Sequence, residues 1–329
     1  MSKKIVVFLG LLVFGFSLGP WLAQSGFGRK TSFSEALEGL SSVSVHYIDV
    51  GQGDSIFIDT PNLDVLIDGG PKLAGPTVLG YLDSLNITQI HLMVATHVHE
   101  DHIGGLVAVL NSTTYVDEIL INNQTHTSNT YTDFMNLAGS HAITVAQRGQ
   151  TFVLAEIANL SVFNPLQPLE FSEANDNSVV VKLQAGNTSF LFTGDAEADA
   201  EQSMLNAGLD LESDILKVGH HGSTSSTTQL FLDSVAPSYA IISAGEDNPY
   251  GHPEQETMEK LLAKGVTVYG TFHSGTVVAS TDGTSVVFLD NPEPIPEFQL
   301  RILFPIFMIT TLLGALASRS TRHIWRTLL

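Results

Sequence analysis

Thr96 to Gly105 reads T-H-V-H-E-D-H-I-G-G, and this block constrains the fold more than any other stretch of the chain. His97, His99, Asp101 and His102 crowd three imidazoles and a carboxylate between a strand-like apolar run, Ile90 to Ala95, and a helix-like run, Ile103 to Leu110. Side chains two apart on extended backbone point the same way, so His97 and His99 can converge on one cation. The turn that follows swings Asp101 and His102 toward a second position nearby. Nitrogen and oxygen donors without a thiolate suit zinc, manganese or iron. The block reads as a metal site.

Other blocks follow in order: V-H-Y-I-D-V-G-Q-G-D-S (Val45 to Ser55), V-L-I-D-G-G (Val65 to Gly70) and N-D-N-S-V-V (Asn175 to Val180). Then come F-L-F-T-G-D (Phe190 to Asp195), L-K-V-G-H-H-G-S (Leu216 to Ser223) and Y-G-H-P (Tyr250 to Pro253). Together with H-x-H-x-D-H they resemble the metallo-β-lactamase superfamily, and within it the hydrolase-like domain of ComEC competence proteins. The resemblance spans roughly residues 43 to 290. It implies an α/β (α+β) fold, the αββα sandwich of two mixed sheets between helix layers. The residues point the same way: a strand-rich half, then a mixed half, with candidate ligands at strand ends in both.

The resemblance also implies two divalent ions, zinc first and manganese second. Its metal ligands map onto His97, His99, Asp101, His102, Asp195 and His221. Asp195 has a second reading, as the cap of a helix starting at Ala196. His220 and His221 are near-equivalent in sequence; the family analogy makes His221 the ligand and His220 a substrate-facing group. The Gly-His-Thr turn that supplies a further histidine in many relatives is absent. Asn175 stands there as a candidate ligand of the first ion, with His126 and His141 as weaker alternatives. Asp101, His220 and His252 are the candidate catalytic groups. Asp54, Asp68 and Ser223 are read as residues that orient a ligand or meet substrate, with the Gly222-Ser223 amides suited to an oxyanion. Gly51-Gln52-Gly53 is also readable as a tight hairpin. His46, His91 and His273 lack motif context and are read as structural.

Two ions sharing a water lower its pKa to near neutrality and clamp the attacking and leaving oxygens. That machinery serves phosphodiesters, phosphomonoesters, lactones, thioesters and β-lactams alike. The ComEC resemblance favours phosphodiester hydrolysis, nuclease-like. The formal net charge of −20, from 34 acidic and 14 basic residues, repels long nucleic acids. A short or small phosphoester satisfies both constraints. A lactonase or glyoxalase-type hydrolase and a non-catalytic surface module of the same fold are the alternatives.

The ends read differently from the middle. Lys3 and Lys4, an apolar run to Ala23 and the triplet Ala23-Gln24-Ser25 make residues 1–25 a signal peptide or an uncleaved anchor. The hydrolase domain is placed at 40–290. A proline-punctuated linker follows at 291–299, then an apolar segment with a basic tail at 300–329. Pro296-Glu297-Phe298, the apolar run and the arginines resemble the PEF-CTERM sorting signal, which a sortase-like enzyme processes. Basic residues flank both apolar runs on the side kept in the cytoplasm, so the domain is expected outside it, attached to the membrane or cell surface. Five N-x-S/T sequons, at Asn86, Asn111, Asn123, Asn159 and Asn187, fit export.

Overall fold

The computed structural model describes residues 42–296. The segments read at 1–25 and 300–329 lie outside the described residues. Among the described residues no helix is long and apolar enough to cross a membrane.

The first half runs β1 (Val43–Tyr47), β2 (Ile56–Asp59), β3 (Val65–Ile67), α1 (Gly75–Ser84), β4 (Gln89–Ala95), α2 (Glu100–Leu110), β5 (Tyr115–Ile121), α3 (Asn129–Ala138) and β6 (Ala142–Val145). The second half runs β7 (Thr151–Ala155), β8 (Ala158–Asn164), β9 (Val180–Ala185), β10 (Thr188–Phe192), α4 (Ala198–Asn206), β11 (Ile215–Lys217), α5 (Gln229–Val235), β12 (Tyr239–Ile242), α6 (Gln255–Ala263), β13 (Thr267–Gly270), α7 (Thr271–Ser274), β14 (Val277–Thr281) and β15 (Val286–Leu289). One sheet has the order β15-β14-β1-β2-β3-β4-β5-β6, the other β13-β12-β11-β10-β9-β8-β7. The last hairpin therefore returns to complete the first sheet. Both sheets are mixed: β1 to β3 pair antiparallel and β3 to β6 parallel, while β10 to β13 are parallel.

Strand alternation sorts the core. Val43, Val45 and Tyr47 face the second sheet, where Phe190 and Phe192 meet them, while Phe57 and Leu66 face outward onto α1 and α2. Met204, Phe231 and Leu261 cover the outer face of the second sheet. Each such side chain, fully buried, contributes about 1.5–3 kcal/mol. The result is helices, sheet, sheet, helices: the expected αββα sandwich.

Four elements differ from what the sequence alone suggests. The polar stretch Asn122 to Tyr131 reads as loop from its composition, yet it becomes helix at Asn129 because the Ser128 hydroxyl accepts from Tyr131 N–H at 3.2 Å and caps it. Edge strands β6 and β13 were not anticipated; four residues carry too little alternation to declare a strand. The described part of the proline-rich segment is also packed rather than free. Ile295 N–H donates to Val268 O at 2.8 Å and its side chain joins the outer core of the second sheet. Ser274 Oγ donates to Glu293 O at 2.9 Å.

Candidate metal centre

β4 ends at Ala95, and His99 forms the N-cap of α2 with extended dihedrals (φ −75°, ψ 151°). The chain thus switches from strand to helix inside the histidine block, which aims its first and last imidazoles at different parts of one edge. Gly104 and Gly105 let this happen. A Cβ on either would collide with the backbone of Lys72 or Gly69, so α2 rests backbone to backbone on the loop after β3. That loop carries Asp68.

Asp195 is the hub. Its Oδ2 lies 3.2 Å from His102 Nε2, 3.5 Å from His221 Nε2 and 3.8 Å from both His97 Nε2 and His220 Nε2. Asp101 Oδ2 stands 3.4 Å from His221 Nε2, and Asp101, His102, Asp195 and His221 each offer an atom within 4.8 Å of the others. His97 Nε2 and His99 Nδ1 approach to 3.0 Å. His102 Nε2, His221 Nε2 and Asp195 Oδ1 are buried without hydrogen-bond partners. Burying polar atoms unpaired is costly unless something else engages them. A divalent cation would engage all three, and a nitrogen/oxygen donor set fits zinc or manganese.

Behind the ligand atoms lies a second tier. His102 Nδ1 is 2.7 Å from Asp68 Oδ2, and Asp68 also accepts from Thr96 N–H (2.9 Å) and hydroxyl (2.7 Å). His221 Nδ1 donates to Ser243 O at 2.9 Å, with Asp54 Oδ1 at 3.4 Å. These contacts fix both tautomers so that Nε2 faces the centre. The loop Gly51-Gln52-Gly53 is wider than a tight hairpin; it turns Asp54 into the interior, onto Lys217 Nζ at 2.8 Å. Lys217 is a buried cation that the sequence reading missed. Asp54, Asp68 and His102 also cluster within 4.8 Å, but the two carboxylates are already engaged by Lys217, Thr96 and His102, so this group supports the centre and is not a separate site.

Electrostatics divide the histidines. Burial alone would lower His102 and His221, but the surrounding carboxylates, Asp195 above all, outweigh it and raise both well above the usual imidazole range. Burial, reinforced by the His102 charge, lowers His97 and His99. Burial opposes ionisation of Asp195 as well, yet the His102 and His221 rings hold it well below the ordinary carboxylate range.

The N-D-N-S block has a use for every residue. Asp176 Oδ1 accepts from Glu197 N–H (3.1 Å) and Ala200 N–H (3.0 Å), so Asp176 caps α4, which starts at Ala198. The cap role considered for Asp195 is thereby corrected: the donors it would have served are taken. Asn177 ties its own loop through Phe171 O at 2.7 Å, and Ser178 Oγ accepts from Asp195 N–H at 3.2 Å. Asn175 Nδ2 donates to Glu197 Oε1 at 3.0 Å, leaving its buried Oδ1 without a partner.

Glu197 is the other residue the sequence reading missed, although it sits two positions after T-G-D. Its Oε1 is 2.8 Å from His220 Nδ1 and accepts from Ser225 Oγ at 3.0 Å. His220 and His221 both adopt left-handed backbone (φ 46° and 54°). That conformation costs about 1–3 kcal/mol per residue. It separates the two rings: His221 is buried toward Ser243, while His220, 26% exposed, turns to Glu197 and the solvent side. Ser223 departs from its expected role, because its N–H donates to His220 O at 2.8 Å and is no free donor for an oxyanion. Its hydroxyl bonds Ser225 and Glu254 instead.

An open cleft of about 590 Å³ leads to the cluster, and Gln52, Asn175, His220, Tyr250 and His252 line it. The His252 ring centroid lies 5.5 Å from that of His220. His126, His141, His46 and His91 are engaged elsewhere. His126 is exposed and accepts from Ser128 N–H, its ring 6.3 Å from that of His99. His141 bonds Val116 O at 2.9 Å, His46 bonds the Tyr81 hydroxyl at 2.8 Å, and His91 accepts from Asp64 N–H at 2.9 Å.

Comparison with known proteins identifies the family. The family model described as "Metallo-beta-lactamase superfamily" matches residues 48–246. "ComE operon protein 3" of Bacillus subtilis (strain 168) is 31% identical over 257 residues, covering 72% of this chain and 33% of that protein. "Competence protein ComA" of Neisseria gonorrhoeae is 31% identical over 273 residues, covering 80% and 36%. The chain thus spans about a third of the length of these curated relatives. Among solved structures, the metallo-β-lactamase fold protein YhfI from Bacillus subtilis aligns with a TM-score of 0.49 at 12% identity, over 73% of this chain and 100% of that one.

Proposed function

From the premise that this chain belongs to the metallo-β-lactamase superfamily, we propose that it is a phosphodiesterase dependent on two divalent ions and acting on small or short phosphoesters. The observation that carries the reading is Asp195, set between two pairs of imidazoles with its Oδ1 and the facing His102 and His221 Nε2 atoms unpaired. His102, His221, Asp101 and Asp195 would hold one ion; His97, His99 and Asp195, with Asn175 Oδ1, would hold the other. Bound ions supply Lewis acidity and a nucleophile at neutral pH.

The chain's own groups do the rest. Asp68 and the Ser243 carbonyl keep His102 and His221 in the tautomer whose Nε2 faces the ions. Glu197 holds His220 at Nδ1, so Nε2 points toward Asp195 and the cleft, where a proton can be handed to a leaving oxygen. His252 stands beside it as the second proton-transfer candidate. The resemblance to ComEC hydrolase-like domains supports phosphodiester chemistry, and the net charge of −20 argues against stable binding of long nucleic acids. Attachment outside the cytoplasm, with processing by a sortase-like enzyme, belongs to the same proposal and rests on the pattern of the two termini.

The test is the purified full chain, chelated and then reloaded with zinc or manganese, presented with phosphodiesters, phosphomonoesters, lactones and thioesters. Diester cleavage that disappears on chelation and returns on reloading is the expected result. Lactone or thioester turnover without diester cleavage would overturn the reading in favour of a lactonase or glyoxalase-type enzyme.

A further inference from the structure

Two features of the cleft mouth play no part in metal binding. One is Tyr250, 66% exposed, on the loop joining β12 to α6. Asn248 builds that loop: its Nδ2 donates to Gly245 O and His252 O, and its Oδ1 accepts from Tyr250 N–H (3.2 Å) and His252 N–H (3.0 Å). The Tyr250 ring lies nearly parallel to His252, 16° apart with centroids at 5.9 Å, so the imidazole backs one side of the phenol. A large aromatic held out over a cleft on so braced a loop has lost hydrophobic stabilisation for itself, and offers a preformed face to a planar group.

The other feature is charge. Among the described residues the cleft's lining contains no lysine or arginine, and beyond the ligand carboxylates Asp101 and Asp195 it adds Glu100. Lys72, next in sequence to the lining Pro71, is paired with Asp133 at 3.1 Å. An adjoining depression of about 420 Å³ adds Asp49 and Glu246. Bound ions would neutralise one phosphate at the centre, but any further phosphate would meet carboxylates. Phosphomonoesters, dianionic near neutrality, and polynucleotides are both disfavoured by this surround.

Building on the phosphodiesterase reading, we propose that the cleft selects a singly charged phosphodiester carrying a nucleoside, whose base stacks on Tyr250 while its one phosphate reaches the Asp195 centre. Stacking on an aromatic side chain tolerates any base, so selection is for a planar group and low charge rather than for sequence.

The experiment compares thymidine 5′-(4-nitrophenyl) phosphate with methyl 4-nitrophenyl phosphate, two monoanionic diesters with one leaving group, on the metal-loaded full chain. The nucleoside ester should be favoured in kcat/KM by about tenfold, the preference expressed in KM. Tyr250→Ala should bring that ratio close to unity, and Tyr250→Phe should preserve it. A ratio unchanged by Tyr250→Ala overturns the inference while leaving diester hydrolysis standing. If neither ester is cleaved, the phosphodiesterase reading falls. The stack is then judged by NMR titration of the chelated chain with thymidine 5′-methylphosphate. Weaker binding by Tyr250→Ala but not Tyr250→Phe supports it, and equal binding by all three refutes it.

Discussion

The two halves of the cluster, joined at Asp195, are held by different means. On one side, His102 and His221 are fully buried and fixed at Nδ1 by a carboxylate and a carbonyl, and the buried Lys217 pins Asp54 behind them. On the other, His97 leans on two hydroxyls, Thr96 Oγ1 at 3.1 Å and Ser178 Oγ at 3.4 Å. His99 is partly exposed at the helix cap, and the third donor is an amide already tied to Glu197. Carboxylate support makes an imidazole a stronger, better-aimed donor than hydroxyl support does. On the two-ion reading proposed above, the half built on His102 and His221 should therefore hold its ion tightly, and the half built on His97 and His99 should exchange its ion more readily.

The largest effect should come from removing what the halves share. Asp195→Asn keeps the size and, since Asp176 caps α4, the helix start. It should lower kcat/KM by about a thousandfold or more and reduce bound metal in both halves. Loss of a single ion in elemental analysis would show that Asp195 serves one half alone. Next in size is the contrast between the supports. Asp68→Asn should weaken the tighter ion by about 10- to 100-fold, as loss of such a partner does elsewhere. Ser178→Ala should weaken the looser ion by about fivefold at most. Zinc competition titrations against a chromophoric chelator check both, and the reverse ranking would break the comparison.

A further effect is read in stability rather than in metal affinity, and it concerns the loop that carries His220 and His221. Buried Glu201 accepts from the amides of Thr227 and Thr228, where that loop enters α5, and burial raises its carboxyl from 4.5 to about 7. The unfolded chain gives up this proton near 4.5 and the folded chain near 7. The contribution is therefore fully present below 4.5 and declines as pH rises toward 7, by about 3 kcal/mol. Denaturant titrations of the chelated chain at acid and alkaline pH should show this loss, and Glu201→Gln should flatten it. An unaltered slope in the variant would assign the pH dependence to other groups.

What could be read from the sequence was local. The block from His97 to His102 declares itself because strand and helix periods act over a few residues, and Asp195 and the His220-His221 pair stand in similarly compact blocks. The supports could not be read this way. Lys217 meets Asp54 and Glu197 meets His220 only after the chain has folded, and nothing near Asp176 in sequence reveals that it caps α4. Both His220 and His221 share left-handed backbone, and they differ only in where the fold aims each ring, His221 onto Ser243 and His220 onto Glu197, which two adjacent identical residues cannot display. Asp195 had two readings until the helix start fell at Ala198 rather than Ala196. The strands missed, β6 and β13, lie at the sheet edges, where burial imposes the weakest pattern.

The seating of Ile295 on β13 has a mechanical consequence. Tension on the chain beyond Pro296 enters the domain at Val268, whose carbonyl holds Ile295 N–H. β13 runs directly into Thr271, whose hydroxyl bonds both Ala244 N–H and Ala244 O at 3.2 Å. The residue before Ala244 is Ser243, the carbonyl that orients His221. Handle and imidazole are thus coupled in series through one strand and one hydroxyl. A pull applied at Pro296 would reach the domain within a few bonds of the carbonyl that orients His221.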